Sequence, residues 1–180
     1  MSVLRHHVPT LLLVDDDLCM LHLLYDVVVD ACGPGVDVRA IDSACDARAY
    51  IEQNLVDILV TDLEMPGING LELLRCAKHK NPCAQVLFIT GHSTLEALAE
   101  ALESGASDYL LKPLDVDALV TLVHDARKRL LRWQEALAGT VAARHEKRAA
   151  ARNAEQNDAA AATGFAATDG ICGQCPCAAR

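Results

Sequence analysis

Residues 10–111 alternate short apolar runs with longer stretches in which apolar residues return every third or fourth position. The short runs, 10–14, 36–40, 57–61, 85–89 and 108–111, are too brief and too rich in β-branched residues to be helices. They predict strands. The stretches 18–31, 44–54, 70–80 and 94–104 predict the helices between them. Helix starts are marked: Ser93 and Glu96 have capping-box spacing, and Asn69 stands three residues before Glu72 in a looser N-cap role. A parallel crossover needs a connection long enough to hold a helix, so this alternation predicts a parallel sheet covered on both faces. The expected domain is an open α/β fold over residues 1–128.

The last helical pattern does not stop there. Val116, Leu119, Val123, Ala126, Leu130, Trp133 and Leu137 keep a three-four spacing, so residues 129–138 are expected to extend the last helix beyond what five short strands can cover. From 139 the composition turns to Ala, Arg, Glu and Asn, with Ala runs at 149–151 and 159–162. Residues 139–180 are therefore expected to be a low-complexity, disordered tail, transiently helical over 141–154, because they bury too little to offset chain entropy.

Composition narrows the chemistry. Hydrophobic residues are 52% of the chain but aromatics only 3%, which predicts a core of Leu, Val, Ile and Ala and argues against a base-stacking platform. The net charge is -9, with 21 acidic against 11 basic residues up to 138 and 4 against 5 beyond it. That balance disfavours nucleic acid and anionic membrane as partners. No apolar run approaches the roughly 20 residues of a bilayer span, and residues 1–9 lack a signal-peptide pattern, so a cytoplasmic location is expected. Five of the eight cysteines, Cys19, Cys32, Cys45, Cys76 and Cys83, fall among apolar positions and are expected to be reduced. The other three form Cys172-x-x-Cys175-x-Cys177, either a soft-metal or redox cluster or an untidy terminus; Zn²⁺ would want a fourth ligand.

The carboxylates are the most informative feature. Asp15, Asp16 and Asp17 follow the first apolar run and Asp62 follows the third, so they fall at the carboxyl ends of strands, the edge where open parallel sheets bind ligands. Clustered carboxylates repel one another, and a hard divalent cation, Mg²⁺ above all, removes that penalty. Thr90 and Lys112, the latter preceding Pro113, end two further strands. A hydroxyl and an ammonium at the same edge suit an oxyanion-rich group such as an acyl phosphate.

These stretches, LLLVDDD, DILVTDLEMPGINGLELL, VLFITGH and GASDYLLKPLD, resemble the receiver domains of two-component response regulators. The resemblance covers residues 10 to about 128. It implies a doubly wound five-stranded sheet in the order 2-1-3-4-5, a flavodoxin-like fold with helices on both faces. It implies Asp62 as phosphoacceptor, Asp15 and Asp16 as the metal-binding pair together with Asp62 and the backbone carbonyl of Glu64, Thr90 and Tyr109 as switch residues, and Lys112 as the phosphate-binding lysine. A cis Lys112-Pro113 bond is also implied. The implied cofactor is Mg²⁺, and the implied phosphodonor is a histidine kinase or a histidine phosphotransfer protein.

Glu64 and His92, two residues after the phosphoacceptor and two after the switch threonine, hold positions that tune phosphoryl lifetime in such domains. Two other readings stand beside this one. Asp15-x-Asp17 also resembles haloacid-dehalogenase-type phosphatases, with Asp15 as nucleophile, although that family leaves the stretch around Asp62 unexplained. The third reading is a receiver-like scaffold whose aspartyl chemistry is unused. No helix-turn-helix, ATPase or cyclase motif follows residue 138. The expectation is a response regulator that is not itself an enzyme and acts by contact, through a downstream protein or a homodimer on the last helix.

Overall fold

In the central strands, successive side chains go to opposite faces and both faces are apolar, which is what a sheet covered on both sides requires. The computed structural model describes residues 8–91 and 94–164, with side chains as far as 149 and again at 152. The strands are β1 (Thr10–Val14), β2 (Asp37–Ile41), β3 (Ile58–Thr61), β4 (Gln85–Thr90) and β5 (Asp108–Leu111). The helices are α1 (Leu18–Cys32), α2 (Ala44–Gln53), α3 (Gly70–Lys80), α4 (Leu95–Glu103) and α5 (Val116–Gly164), with a 3₁₀ turn at Gly33–Gly35. All pairings are parallel and the order is β2-β1-β3-β4-β5, as expected.

Leu11, Leu13, Ile58, Val60, Leu87 and Ile89 pack with Leu21, Leu24 and Val28 of α1 and Leu119, Val123 and Ala126 of α5. The intervening Leu12, Val14, Leu59, Val86 and Phe88 pack with Ala47 and Ile51 of α2, Leu73, Leu74 and Ala77 of α3, and Ala101 of α4. The sheet thus separates two apolar layers. Asp17, Ser43, Asn69 and Thr94 cap α1 to α4 with side-chain oxygens on backbone amides. The cap of α4 is Thr94, one residue later than the Ser93 spacing predicts.

The stretch Leu18–Gly35 is long and apolar enough to pass for a membrane span by length and composition, which the sequence pattern does not predict. Its residues Leu21, Leu24, Val28 and Cys32 are buried, and α1 lies on the sheet.

The described residues divide into two units, with the boundary between 134 and 135. Two expectations about the last helix change. Leu130, expected beyond the reach of the sheet, is 1% exposed. Residues 139–164, expected to be a tail with only transient helix over 141–154, continue α5 as far as Gly164. Burial is not the cause, since the side chains described from 141 to 149 are exposed. Local preference is: the segment is dominated by Ala, Arg, Glu, Lys and Gln, and no proline occurs between Pro113 and Pro176.

Candidate functional site

The register of the sheet builds the site. Val14 pairs with Thr61, so the next residue of each strand, Asp15 and Asp62, emerges side by side at the carboxyl edge. The Asp62 amide donates to the Val14 carbonyl at 3.0 Å, carrying the ladder one step past the strand. Asp15 and Asp62 are buried, Asp16 is exposed, and one carboxylate oxygen from each lies within 4.8 Å of the others. Three hard oxygen donors converge, one of them open to solvent. That donor set fits a small divalent cation better than a soft metal.

Lys112 reaches this cluster from the end of β5. Its Nζ stands 2.9 Å from Asp15 Oδ2 and 2.7 Å from Asp62 Oδ2, bridging both carboxylates. Its amide donates to the Thr90 carbonyl at 2.9 Å, and the Lys112-Pro113 bond is cis, as the resemblance implies. Burial pushes the Asp15 carboxyl above its ordinary range; Lys112 and the Asp17 amide, 2.9 Å from Asp15 Oδ1, pull it back only in part. For Lys112, burial works against the charge, but hydrogen bonds to Asp62 and Asp15 outweigh it and hold the ammonium above its ordinary value. The site therefore carries an excess of negative charge that one lysine does not neutralise.

The remaining residues sort by contact. Asp17 turns back to accept from the amides of Cys19 and Met20, so it caps α1. Glu64 is exposed, and its amide donates to Asp62 Oδ1 at 3.2 Å. Thr90 is buried at the end of β4, and an added Cβ on the neighbouring Gly91 would only touch the Lys112 stem, at 3.9 Å. Tyr109 packs its ring 6.4 Å from that of Phe88, and its hydroxyl is buried without a hydrogen-bond partner among the described residues. His92, Cys172, Cys175 and Cys177 lie outside the described residues.

Three residues escape the sequence pattern. Thr61 donates its hydroxyl to the Asp62 carbonyl at 3.0 Å. Gly70, the first residue of α3, donates its amide to the Leu63 carbonyl at 2.9 Å. The only sequence signals are a hydroxyl closing an apolar strand and a glycine opening a helix. Asp57 is buried at the opposite edge, where its Oδ2 accepts from the Thr10 amide at 3.0 Å, so its role is to join strands.

Comparison with known proteins agrees with this geometry. The family described as response regulator receiver domain matches residues 11–124. The transcriptional regulator NtrC of Salmonella typhimurium is 35% identical over 113 residues, 63% of this chain and 24% of that protein. The chain thus spans about a quarter of the length of that curated relative. Among solved structures, a CheY-like receiver domain protein from Methanospirillum hungatei superposes with a TM-score of 0.61 at 26% identity, over 68% of this chain and 96% of that one. A receiver domain protein from Clostridium thermocellum gives 0.59 at 30% identity, over 68% and 98%.

Proposed function

Because the chain belongs to the response regulator receiver domain family, we propose that it takes a phosphoryl group onto Asp62 from the phosphohistidine of a histidine kinase or a histidine phosphotransfer protein. The observation that carries this reading is Lys112 Nζ bridging Asp15 and Asp62 beside a third carboxylate, Asp16. In the transfer, an Asp62 carboxylate oxygen forms the new bond to phosphorus while the bond from phosphorus to the donor imidazole nitrogen breaks, and that nitrogen keeps the electron pair. The chain supplies position and charge. The Glu64 amide holds Oδ1 of Asp62 and Lys112 holds Oδ2, so the carboxylate is oriented before the donor arrives. The ammonium then remains beside the phosphoryl oxygens, where negative charge gathers.

Asp15, Asp16 and Asp62, with the backbone carbonyl of Glu64, would hold Mg²⁺. The ion would offset the mutual repulsion of carboxylates and phosphoryl. Thr90 and Tyr109 are the switch pair in this reading, and Glu64 and His92 tune the lifetime of the acyl phosphate. The phosphatase reading gives no role to Asp62, although the Glu64 amide and Lys112 orient that carboxylate. Output passes to a protein partner or a second copy through the last helix, and the setting is cytoplasmic. Residues 129–138 serve that output rather than the phosphoryl chemistry.

Incubation with a small acyl-phosphate donor and Mg²⁺ tests the reading. Wild type acquires a hydroxylamine-sensitive phosphoryl group, and Asp62→Asn and metal chelation both abolish it. Label that persists in Asp62→Asn overturns the assignment.

A further inference from the structure

Thr61 closes the otherwise apolar strand β3 and is buried. An aliphatic side chain of the same shape would satisfy packing there, so the hydroxyl needs a reason. Its bond to the Asp62 carbonyl, at 3.0 Å, supplies one. The same carbonyl lies close to α3: a Cβ added to Gly70 would be 2.2 Å from it. The peptide after Asp62 thus meets both the hydroxyl of the preceding residue and the bare Cα of the first residue of α3.

Rotation about the Cα–C bond of Asp62 moves this carbonyl and, with it, the chain leading to Glu64. The Glu64 amide in turn reaches back to Asp62 Oδ1 at 3.2 Å. Fixing the carbonyl therefore fixes the turn that grips the carboxylate. We infer that Thr61 is a positioning residue for the phosphoacceptor: its hydroxyl, not its shape, sets the Asp62 carboxylate and the Glu64 peptide for cation binding and phosphoryl transfer. The inference rests on the reading of Asp62 as phosphoacceptor.

Two variants separate this role from packing. Thr61→Val keeps the branched shape and deletes the donor; Thr61→Ser keeps the donor and deletes a methyl group. Mg²⁺ affinity by titration calorimetry, phosphorylation rate with a small acyl-phosphate donor at saturating Mg²⁺, and melting temperature are measured for wild type and both variants. Thr61→Val is expected to lower Mg²⁺ affinity and phosphorylation rate about five-fold, the loss of one hydrogen bond, and to melt lower because the Asp62 carbonyl loses its donor. Thr61→Ser is expected to melt lower while keeping affinity and rate close to wild type. Wild-type affinity and rate in Thr61→Val, or an equal loss in Thr61→Ser, would overturn the inference. A wild type that neither binds Mg²⁺ nor accepts phosphoryl would instead overturn the reading of the site on which it rests.

Discussion

Leu130 and Trp133 stand one turn apart on the same three-four stripe of α5, yet Leu130 is 1% exposed and Trp133 56%. The core ends between them. Leu130→Ala should cost about 2–5 kcal/mol in urea unfolding, as deletion of a buried Leu does, and Trp133→Ala should stay within about 0.5 kcal/mol. If the last helix pairs with a second copy, sedimentation will show Trp133→Asp monomeric at concentrations where wild type is not. A wild type that is monomeric at every concentration, with and without acyl phosphate, removes the homodimer from the proposal.

The raised Asp15 carboxyl makes a prediction about metal-free stability. Its folded value lies above its unfolded one, so the native state binds this proton more readily, and stability from this group falls as pH rises through the two values. Lys112 has the other sense: its contribution is in full below its ordinary 10.5 and is lost only as pH climbs through its raised value. At neutral pH, Asp15 is thus a cost and Lys112 a gain. Asp15→Asn should melt higher than wild type without metal, by the equivalent of about 1 kcal/mol. Added Mg²⁺ should raise the melting temperature of wild type and leave the variant unmoved, which a pair of thermal scans will show.

Gly70 opens a helix, where alanine is ordinarily the better residue. Here the ordering reverses. A Cβ would meet the Asp62 carbonyl at 2.2 Å and Phe88 Cε1 at 2.9 Å, one of them backbone that cannot step aside without moving the phosphoacceptor candidate. Gly70→Ala should lose about 1–3 kcal/mol on chemical denaturation and slow phosphorylation as well.

Glu64 touches Asp62 through its amide alone, and its side chain is exposed. Glu64→Ala should leave Mg²⁺ affinity at the wild-type value while shifting the decay of the acyl phosphate by about three-fold or more. Decay is followed after donor removal. A lifetime equal to wild type in this variant would take Glu64 out of the tuning role.

The carboxylates were legible because each follows directly on an apolar run, and in a parallel sheet the ends of those runs share one edge; Lys112 before Pro113 was legible for the same reason. What the runs could not disclose is register. Only the pairing of Val14 with Thr61 puts Asp15 next to Asp62, and only the emergence of the chain after Asp62 gives Thr61 and Gly70 their common contact. The end of the core was placed too early because the three-four stripe marks which positions face inward, not how far the neighbouring layer extends. The helix beyond Gly139 was legible only as a transient one, over 141–154. Its sequence was judged on what it could bury, whereas an Ala-rich run without proline stays helical on backbone preference.

The two apolar layers are not equally anchored to their helices. On the layer shared by α2, α3 and α4, the last contributes a single buried residue, Ala101, while Leu95 and Leu102 of the same helix stand open to solvent. An element with so little apolar area at stake has a low free energy of local opening. The amide protons of α4 should therefore exchange with deuterium well before those of α3, which buries Leu71, Leu73, Leu74 and Ala77. A helix whose opening is cheap is also one that a modest change in charge at the end of β3 or β4 can reseat.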